Sequence, residues 1–298
     1  MADMTTGFVS SEGGMELYWS SIGEGPALVC CNGVGVSTFF WKYIAAYFGQ
    51  HHKVIVWDYP GHGRSSLPSD PDTADLSMER LARDLERVLE AAQVREPPVL
   101  LGHSMGCQVI LEAHRTRPTS YAALVPMFGT FGRPLDTFYD FPWSRTGFDI
   151  IKRLARQSNR ATLRMLLPLY ASPLAFPFGQ MTGLVDRYYA ARKDIEHYIQ
   201  HLGHMDPRVF VRMVELMADH DMEPHLPEID LPTLIFGGEN DAFTPLHRAH
   251  RMAELIPHAE LMVLAEGSHA AIVEHPDTIN QRVRRFLQER VPTHATAD

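Results

Sequence analysis

The pentapeptide Gly102-His103-Ser104-Met105-Gly106 sets a serine hydroxyl between two glycines, after the apolar run 98–101 and before a helix-like stretch. A serine is a weak nucleophile at its free pKa. It attacks a carbonyl when a base takes its proton and an acid orients that base. A Gly-x-Ser-x-Gly string alone is weak evidence, because at ordinary residue frequencies chance supplies one in about a tenth of chains this long. Its setting adds the specificity: a sharp turn from strand to helix exposes the hydroxyl, and small glycines let the two elements approach. The same turn aims the Met105 backbone N–H, at a helix N-terminus, to where an oxyanion would develop. The plain alternative is a turn serine with no chemistry.

Base and acid are sought at the carboxyl ends of strands, where ligands gather in open α/β sheets. The apolar run 233–236 leads into Gly237-Gly238-Glu239-Asn240-Asp241, and the run 260–264 leads into Ala265-Glu266-Gly267-Ser268-His269. In the order serine, acid, histidine expected of this architecture, Asp241 and His269 are the candidates. Glu239 and Asp136 rival Asp241, and His269 has the competing reading of a capping or core histidine. His103 lies too close in sequence to Ser104 to be its base and, like Met105, is expected in the pocket wall. Asp58 reads as a loop brace. The second oxyanion donor is expected from Asn32-Gly33-Val34-Gly35, where Gly33 permits an inward turn and the Val34 N–H is the choice.

The elements that must position these residues follow from hydrophobic patterning. Residues 7–10 and 15–20, around Ser11-Glu12-Gly13-Gly14, predict a β-hairpin. The runs 27–31, 54–58, 98–101 and 122–127 are almost wholly apolar, as parallel strands covered on both faces are. Residues 77–92 have helical spacing and open at Ser77. Alternating strands and helices predict a parallel sheet with right-handed crossovers. From about Phe131 to His225 the alternation stops, and helices are expected over 149–167, 183–201 and 207–219, the last begun by Asp206-Pro207. It resumes with strand 233–236, helix 247–256, strand 260–264 and helix 276–290. The expected layout is an α/β core of residues 1–130 and 226–298 with a helical insertion of residues 131–225, and residues 292–298 read as a disordered tail.

A chain of 298 residues suffices for one large α/β domain with an insertion. Its 27 basic and 36 acidic residues leave a net charge of −9, which argues against nucleic acid or an anionic membrane surface as partner. A small, mostly neutral molecule is the expected partner, and the oligomeric state cannot be read. Cys30, Cys31 and Cys107 are too few for a disulfide framework, and adjacent strand residues face opposite ways, so a reduced, cytoplasmic protein is expected. No export signal is read at the N-terminus, and no run reaches the roughly 18 apolar residues of a membrane span. His197, His201 and His204 share one helical face and could hold zinc in principle. They lack the glutamate of a metalloprotease motif and any evident supporting partner, so no metal and no cofactor are expected.

With these motifs assembled, the chain resembles an α/β-hydrolase with a helical cap, from its first hairpin to its last helix. Asn32-Gly33 resembles the family's His-Gly oxyanion loop, with Asn in place of His. Asp58-Tyr59-Pro60-Gly61-His62-Gly63-Arg64-Ser65 resembles the structural loop after its fourth strand, and Ser104, Asp241 and His269 occupy the nucleophile, acid and base positions. Cys107 departs from the pattern, since many members have glycine there; a tighter helix start with intact chemistry is expected. The resemblance implies a mostly parallel sheet flanked by helices, a cap over it, and cofactor-free hydrolysis of a small or medium apolar carboxylic ester through an acyl-enzyme. Asn32, Gly33, His103, Phe131, Phe138 and Trp143 are expected to line the substrate pocket, while other apolar cap residues such as Met165, Tyr170 and Phe178 mostly pack the cap itself. The motifs leave the substrate open: lactones, C–C bonds of ring-fission products, perhydrolysis and acyl transfer are alternatives. A ligand receptor on the same fold is a rival of another class. Epoxide hydrolases and haloalkane dehalogenases are set aside, because they carry Asp at the position of Ser104.

Overall fold

The computed structural model describes residues 4–138, 143–157, 180, 184–186 and 188–291. Met165, Tyr170, Phe178, the far end of the helix expected over 149–167 and the tail 292–298 lie outside the described residues.

Eight strands form one sheet in the order β1-β2-β4-β3-β5-β6-β7-β8. β1 (Met4–Ser10) and β2 (Glu16–Ile22) form the expected antiparallel hairpin, and β2 pairs antiparallel with β4 (Lys53–Trp57). All remaining pairings are parallel: β4 with β3 (Ala27–Cys31), then β5 (Val99–His103), β6 (Ala123–Met127), β7 (Thr233–Gly238) and β8 (Ala259–Leu264). Every residue of β3, β5, β6 and β7 is buried, which is why these segments read as unbroken apolar runs. The sheet divides the core. Val29, Cys31, Ile55 and Leu100 pack on one face; Leu28, Cys30, Val54 and Leu101 pack on the other. Cys30 and Cys31 therefore point apart, and all three cysteines are free. Each fully buried Val, Leu or Ile here contributes about 1.5–3 kcal/mol.

Helices cover both faces. α1 (Lys42–Phe48) and α8 (Pro276–Arg290) bury Ile44, Phe48, Val283 and Phe286 on the Cys30 side. On the Cys31 side, α2 (Met78–Ala91), α3 (Met105–Thr116) and α7 (Leu246–Leu255) bury Leu81, Leu85, Val109 and Met252. α2 starts as the sequence predicts, with the Ser77 hydroxyl accepting the Arg80 N–H at 3.3 Å.

Between β6 and β7 the chain forms α4 (Ser144–Gln157), α5 (Arg192–His204) and α6 (Pro207–Asp219). α6 has the predicted bounds, with Asp206 accepting the Arg208 N–H at 3.0 Å. α5 starts nine residues later than expected. The Asp186 carboxylate there accepts the Tyr188 and Tyr189 N–H groups at 2.6 and 2.8 Å, which folds the chain into a turn instead of a helix. Where the segment leaves and rejoins the sheet, Gly132 bridges Asp221, Met222 N–H donates to Phe131 O, and Arg133 N–H donates to His220 O. Among the described residues no helix is long and apolar enough to cross a membrane.

Candidate active site

Ser104 is the single residue between the end of β5 and the start of α3, held at φ 56° and ψ −119°. That backbone conformation favours glycine, so its use by a serine is strain stored at a turn. Close packing holds the turn: a Cβ on Gly102 would lie 2.4 Å from Gly106 O, and one on Gly106 would lie 2.2 Å from Cys31 O. Both obstacles are backbone and cannot swing away. Gly106→Ala is therefore expected to lower stability by about 3 kcal/mol, read as a lower urea midpoint; an unchanged midpoint would refute the packing argument. The Cys107 thiol is buried against the same turn and donates to Gly102 O at 3.1 Å.

His269 lies in the loop after β8, and its Nε2 is 3.0 Å from the Ser104 hydroxyl. Its Nδ1 is 3.1 and 3.0 Å from the two carboxylate oxygens of Asp241, in the loop after β7. Asp241 is itself fixed, with Oδ1 accepting the Phe243 and Thr244 N–H groups at 2.9 Å each and Oδ2 accepting the Thr244 hydroxyl at 2.7 Å. Asp241 and His269 are buried, at 4% and 7% exposure, so this chain of hydrogen bonds is largely screened from water. Its rivals are placed differently: Glu239 accepts the Glu266 N–H, and Asp136 pairs with Arg133 and Arg145.

The Asn32–Gly35 turn lies against the serine, since a Cβ on Gly33 would stand 3.0 Å from Ser104 Cβ. Gly35 N–H donates to His62 Nε2 at 3.0 Å, and His62 Nδ1 donates to Pro60 O at 3.0 Å, which fixes that ring's tautomer. The Val34 and Met105 N–H groups have no acceptor among the described residues. Asp58 braces the neighbouring loop, accepting from Thr38 N–H at 2.9 Å and Arg64 N–H at 3.0 Å.

The expected pocket residues divide. Gly33 and His103 adjoin the serine, and His103 Nε2 donates to His269 O at 3.0 Å, so this ring supports the backbone of the histidine loop. Phe138 packs edge-on against Phe243 at 4.8 Å, and Phe243 stacks on the His269 ring at 5.1 Å and 23°. Three are placed elsewhere. The Asn32 amide is wholly enclosed, donating to Trp57 O at 2.6 Å and accepting from Trp41 Nε1 at 2.7 Å. Phe131 is fully buried beneath the Arg248 guanidinium, 3.9 Å above its ring, and Trp143 is 64% exposed. The sequence reading misses Phe243. Its one signal is position, two residues after Asp241 in a turn capped by that carboxylate.

Of the three insertion histidines, His197 and His204 donate from Nδ1 to the carbonyls of Lys193 and Gln200 in their own helix at 2.7 Å, which fixes the tautomers and leaves Nε2 as each ring's acceptor. Elsewhere, Glu79, Glu112 and His220 bring one ligand atom each within 4.8 Å of one another, but Glu112 already bonds Arg115 and His220, a structural pairing.

Burial keeps several histidines neutral: it lowers His62 and His103 to about 3, and His114 and His201 to about 4, from an ordinary 6.5. It raises the Asp58 carboxyl to about 6 from 3.8, and Glu274 to about 7 from 4.5. Below pH 6 the unfolded chain thus binds up to four protons that the folded histidines refuse, while the folded carboxyls bind two that the unfolded chain refuses. The unfolded state gains more, so stability is expected to fall as pH drops from 6 to about 4.5. Urea midpoints across that range test the sign, and a midpoint that rises on acidification would reverse it.

The profile of the alpha/beta hydrolase family matches residues 28–282. The chain is 28% identical over 285 residues to a RutD protein of Stutzerimonas stutzeri, provisionally named a carbamate hydrolase, covering 95% of this chain and 99% of that one. It is 25% identical over 283 residues to a 2-hydroxy-6-oxononadienedioate hydrolase of Paraburkholderia xenovorans, covering 93% and 92% of the two chains. Among solved structures, an esterase from a Rhodococcus species superposes with a TM-score of 0.76 at 22% identity, covering 96% of this chain and 98% of that one.

Proposed function

Because this chain belongs to the alpha/beta hydrolase family, we propose that it is a serine hydrolase cleaving carboxylic esters of small to medium apolar substrates. The observation that carries the reading is the unbroken relay from Asp241 through His269 to a strained Ser104, at 3.0–3.1 Å per step. In this reading His269 Nε2 takes the Ser104 proton as the oxygen attacks the ester carbonyl. Asp241 holds the proton on Nδ1 and stabilises the imidazolium. The Val34 and Met105 N–H groups receive the tetrahedral oxyanion. The imidazolium protonates the departing alcohol, and a water deprotonated by His269 then releases the acid and frees Ser104. In this reading the described part of the insertion between β6 and β7 contributes the cap over this centre. The Phe243 ring stacked on His269, with Phe138 packed against Phe243, supplies an apolar wall, which supports an apolar substrate.

The test is hydrolysis of p-nitrophenyl esters from acetate to laurate by the wild type and Ser104→Ala in parallel. Sustained turnover lost in the variant supports the reading, and the chain-length optimum sizes the pocket. Absence of turnover in both overturns simple esterase activity. The relative named for 2-hydroxy-6-oxononadienedioate then makes a ring-fission acid the next substrate to assay, as a C–C bond hydrolase reading requires.

A further inference from the structure

Glu274 ends a single turn of helix, Ala271–Glu274, immediately after the histidine loop. It is 7% exposed, and each of its carboxylate oxygens accepts a bond from a different part of the chain. Oε2 accepts the hydroxyl of Ser268, the residue before His269, at 2.6 Å. Oε1 accepts the Asp186 N–H at 2.6 Å, from the insertion between β6 and β7. The Ser268 oxygen also accepts the Ala270 N–H at 3.1 Å and lies 3.4 Å from Leu184 O. Two short stretches, Leu184–Asp186 and Ser268–Ala270, are thus held to one carboxylate, with the His269 imidazole in the second of them.

A buried carboxylate is an expensive way to join two loops, since an apolar group of the same size would avoid the desolvation cost. We propose that Glu274 is a positioning residue that ties the seating of the Leu184–Asp186 stretch to the placement and charge of the His269 imidazole. The proposal rests on the reading of His269 as general base. It makes the insertion and the base a single unit: when the stretch that carries Asp186 is seated, the loop that carries His269 is held in register with Ser104. Above about pH 7, where its carboxyl is ionised, the negative charge of Glu274 also favours the imidazolium formed when His269 takes the serine proton.

The charged and titratable groups near Glu274 are few. Asp186 on the insertion opposes its ionisation, and His269 on the preceding loop favours it. The next residue, His275, contacts the Tyr189 ring at 4.5 Å. The turn Thr38–Trp41, packed on the same single turn of helix, brings no ionisable side chain.

The experiment compares Glu274→Gln, Glu274→Ala and Ser268→Ala with the wild type on the best p-nitrophenyl ester, with kcat and KM measured across pH and amide hydrogen exchange followed at Asp186 and Ala270. Glu274→Ala is expected to lose about 10- to 100-fold in kcat, the scale of a base displaced by a fraction of an ångström to an ångström. Exchange should speed up at Asp186 and Ala270 together. Glu274→Gln keeps an acceptor for Asp186 and should lose less in kcat. It should also shift the acid limb of kcat/KM, because Glu274, which takes up a proton near pH 7, no longer titrates alongside the general base. A merely structural glutamate would leave that limb in place. If Glu274→Ala does not fold, Ser268→Ala cuts the same link while retaining the carboxylate, and its kcat should fall. An unmoved limb in Glu274→Gln, or kcat within about threefold of wild type in the variants that fold, overturns the proposal. Failure of the underlying hydrolase reading is a separate result, seen as full activity in Ser104→Ala.

Discussion

Ser104→Ala is expected to lower kcat by about four to six orders of magnitude while leaving the protein folded, with what activity persists coming from the oxyanion donors and substrate binding. The size of the loss follows from the site's geometry. The hydroxyl is 3.0 Å from His269 Nε2, and no second nucleophile flanks it: its neighbours are His103, bonded to His269 O, and the buried Met105. The same substitution separates chemistry from strain. Alanine has a Cβ and must still adopt φ 56°, whereas glycine adopts it freely. Ser104→Gly should therefore be as inactive as Ser104→Ala yet more stable by about 1 kcal/mol, the strain relieved less the added freedom of the unfolded chain. Parallel activity and urea unfolding measurements on the two variants check both statements. Retained activity in either would remove Ser104 from the mechanism, and equal midpoints would show that the turn is not strained.

Much of the fold was legible because the sheet imposes its burial on the sequence. β3, β5, β6 and β7 are covered on both faces, so each leaves a short apolar run with a change of character at its carboxyl end, where Gly33, Ser104 and Asp241 stand. His269 was legible by the same route, although β8 is less buried. The insertion was harder to read. Its helices bury narrower stripes, and a local capping carboxylate at Asp186 overrides helical spacing over the residues that precede α5. The pocket was the least legible part. Asn32 directly precedes Gly33, which abuts the serine turn, yet its amide faces Trp41 and Trp57, because adjacent residues of a loop project in unrelated directions. Phe243 and Glu274 gave no periodic signal at all: each acts through contacts made across the chain, and composition and spacing do not record such contacts.

Asp241→Asn is the second large loss, expected at about four orders of magnitude in kcat/KM for a change of one oxygen to one nitrogen. The direction of the amide decides this. Oδ1 accepts two backbone N–H groups, from Phe243 and Thr244, so the asparagine oxygen must take that position and its NH2 the position of Oδ2. The Thr244 hydroxyl can adapt, since it can accept as well as donate. His269 cannot adapt without consequence. A protonated Nδ1 would face the amide hydrogens at 3.0 Å, so the ring shifts its proton to Nε2 and presents an N–H, instead of a lone pair, to the serine hydroxyl 3.0 Å away. The base is then lost while every heavy atom stays near its place. Stability should change little, because the two backbone N–H bonds to residue 241 survive and those to Thr244 Oγ1 and His269 Nδ1 persist with donor and acceptor exchanged. The combination expected is therefore a near-normal urea midpoint with kcat/KM reduced about 10,000-fold on the best p-nitrophenyl ester. A loss below tenfold would show that Asp241 does not set the tautomer of His269, and the acid would have to be sought among other carboxylates.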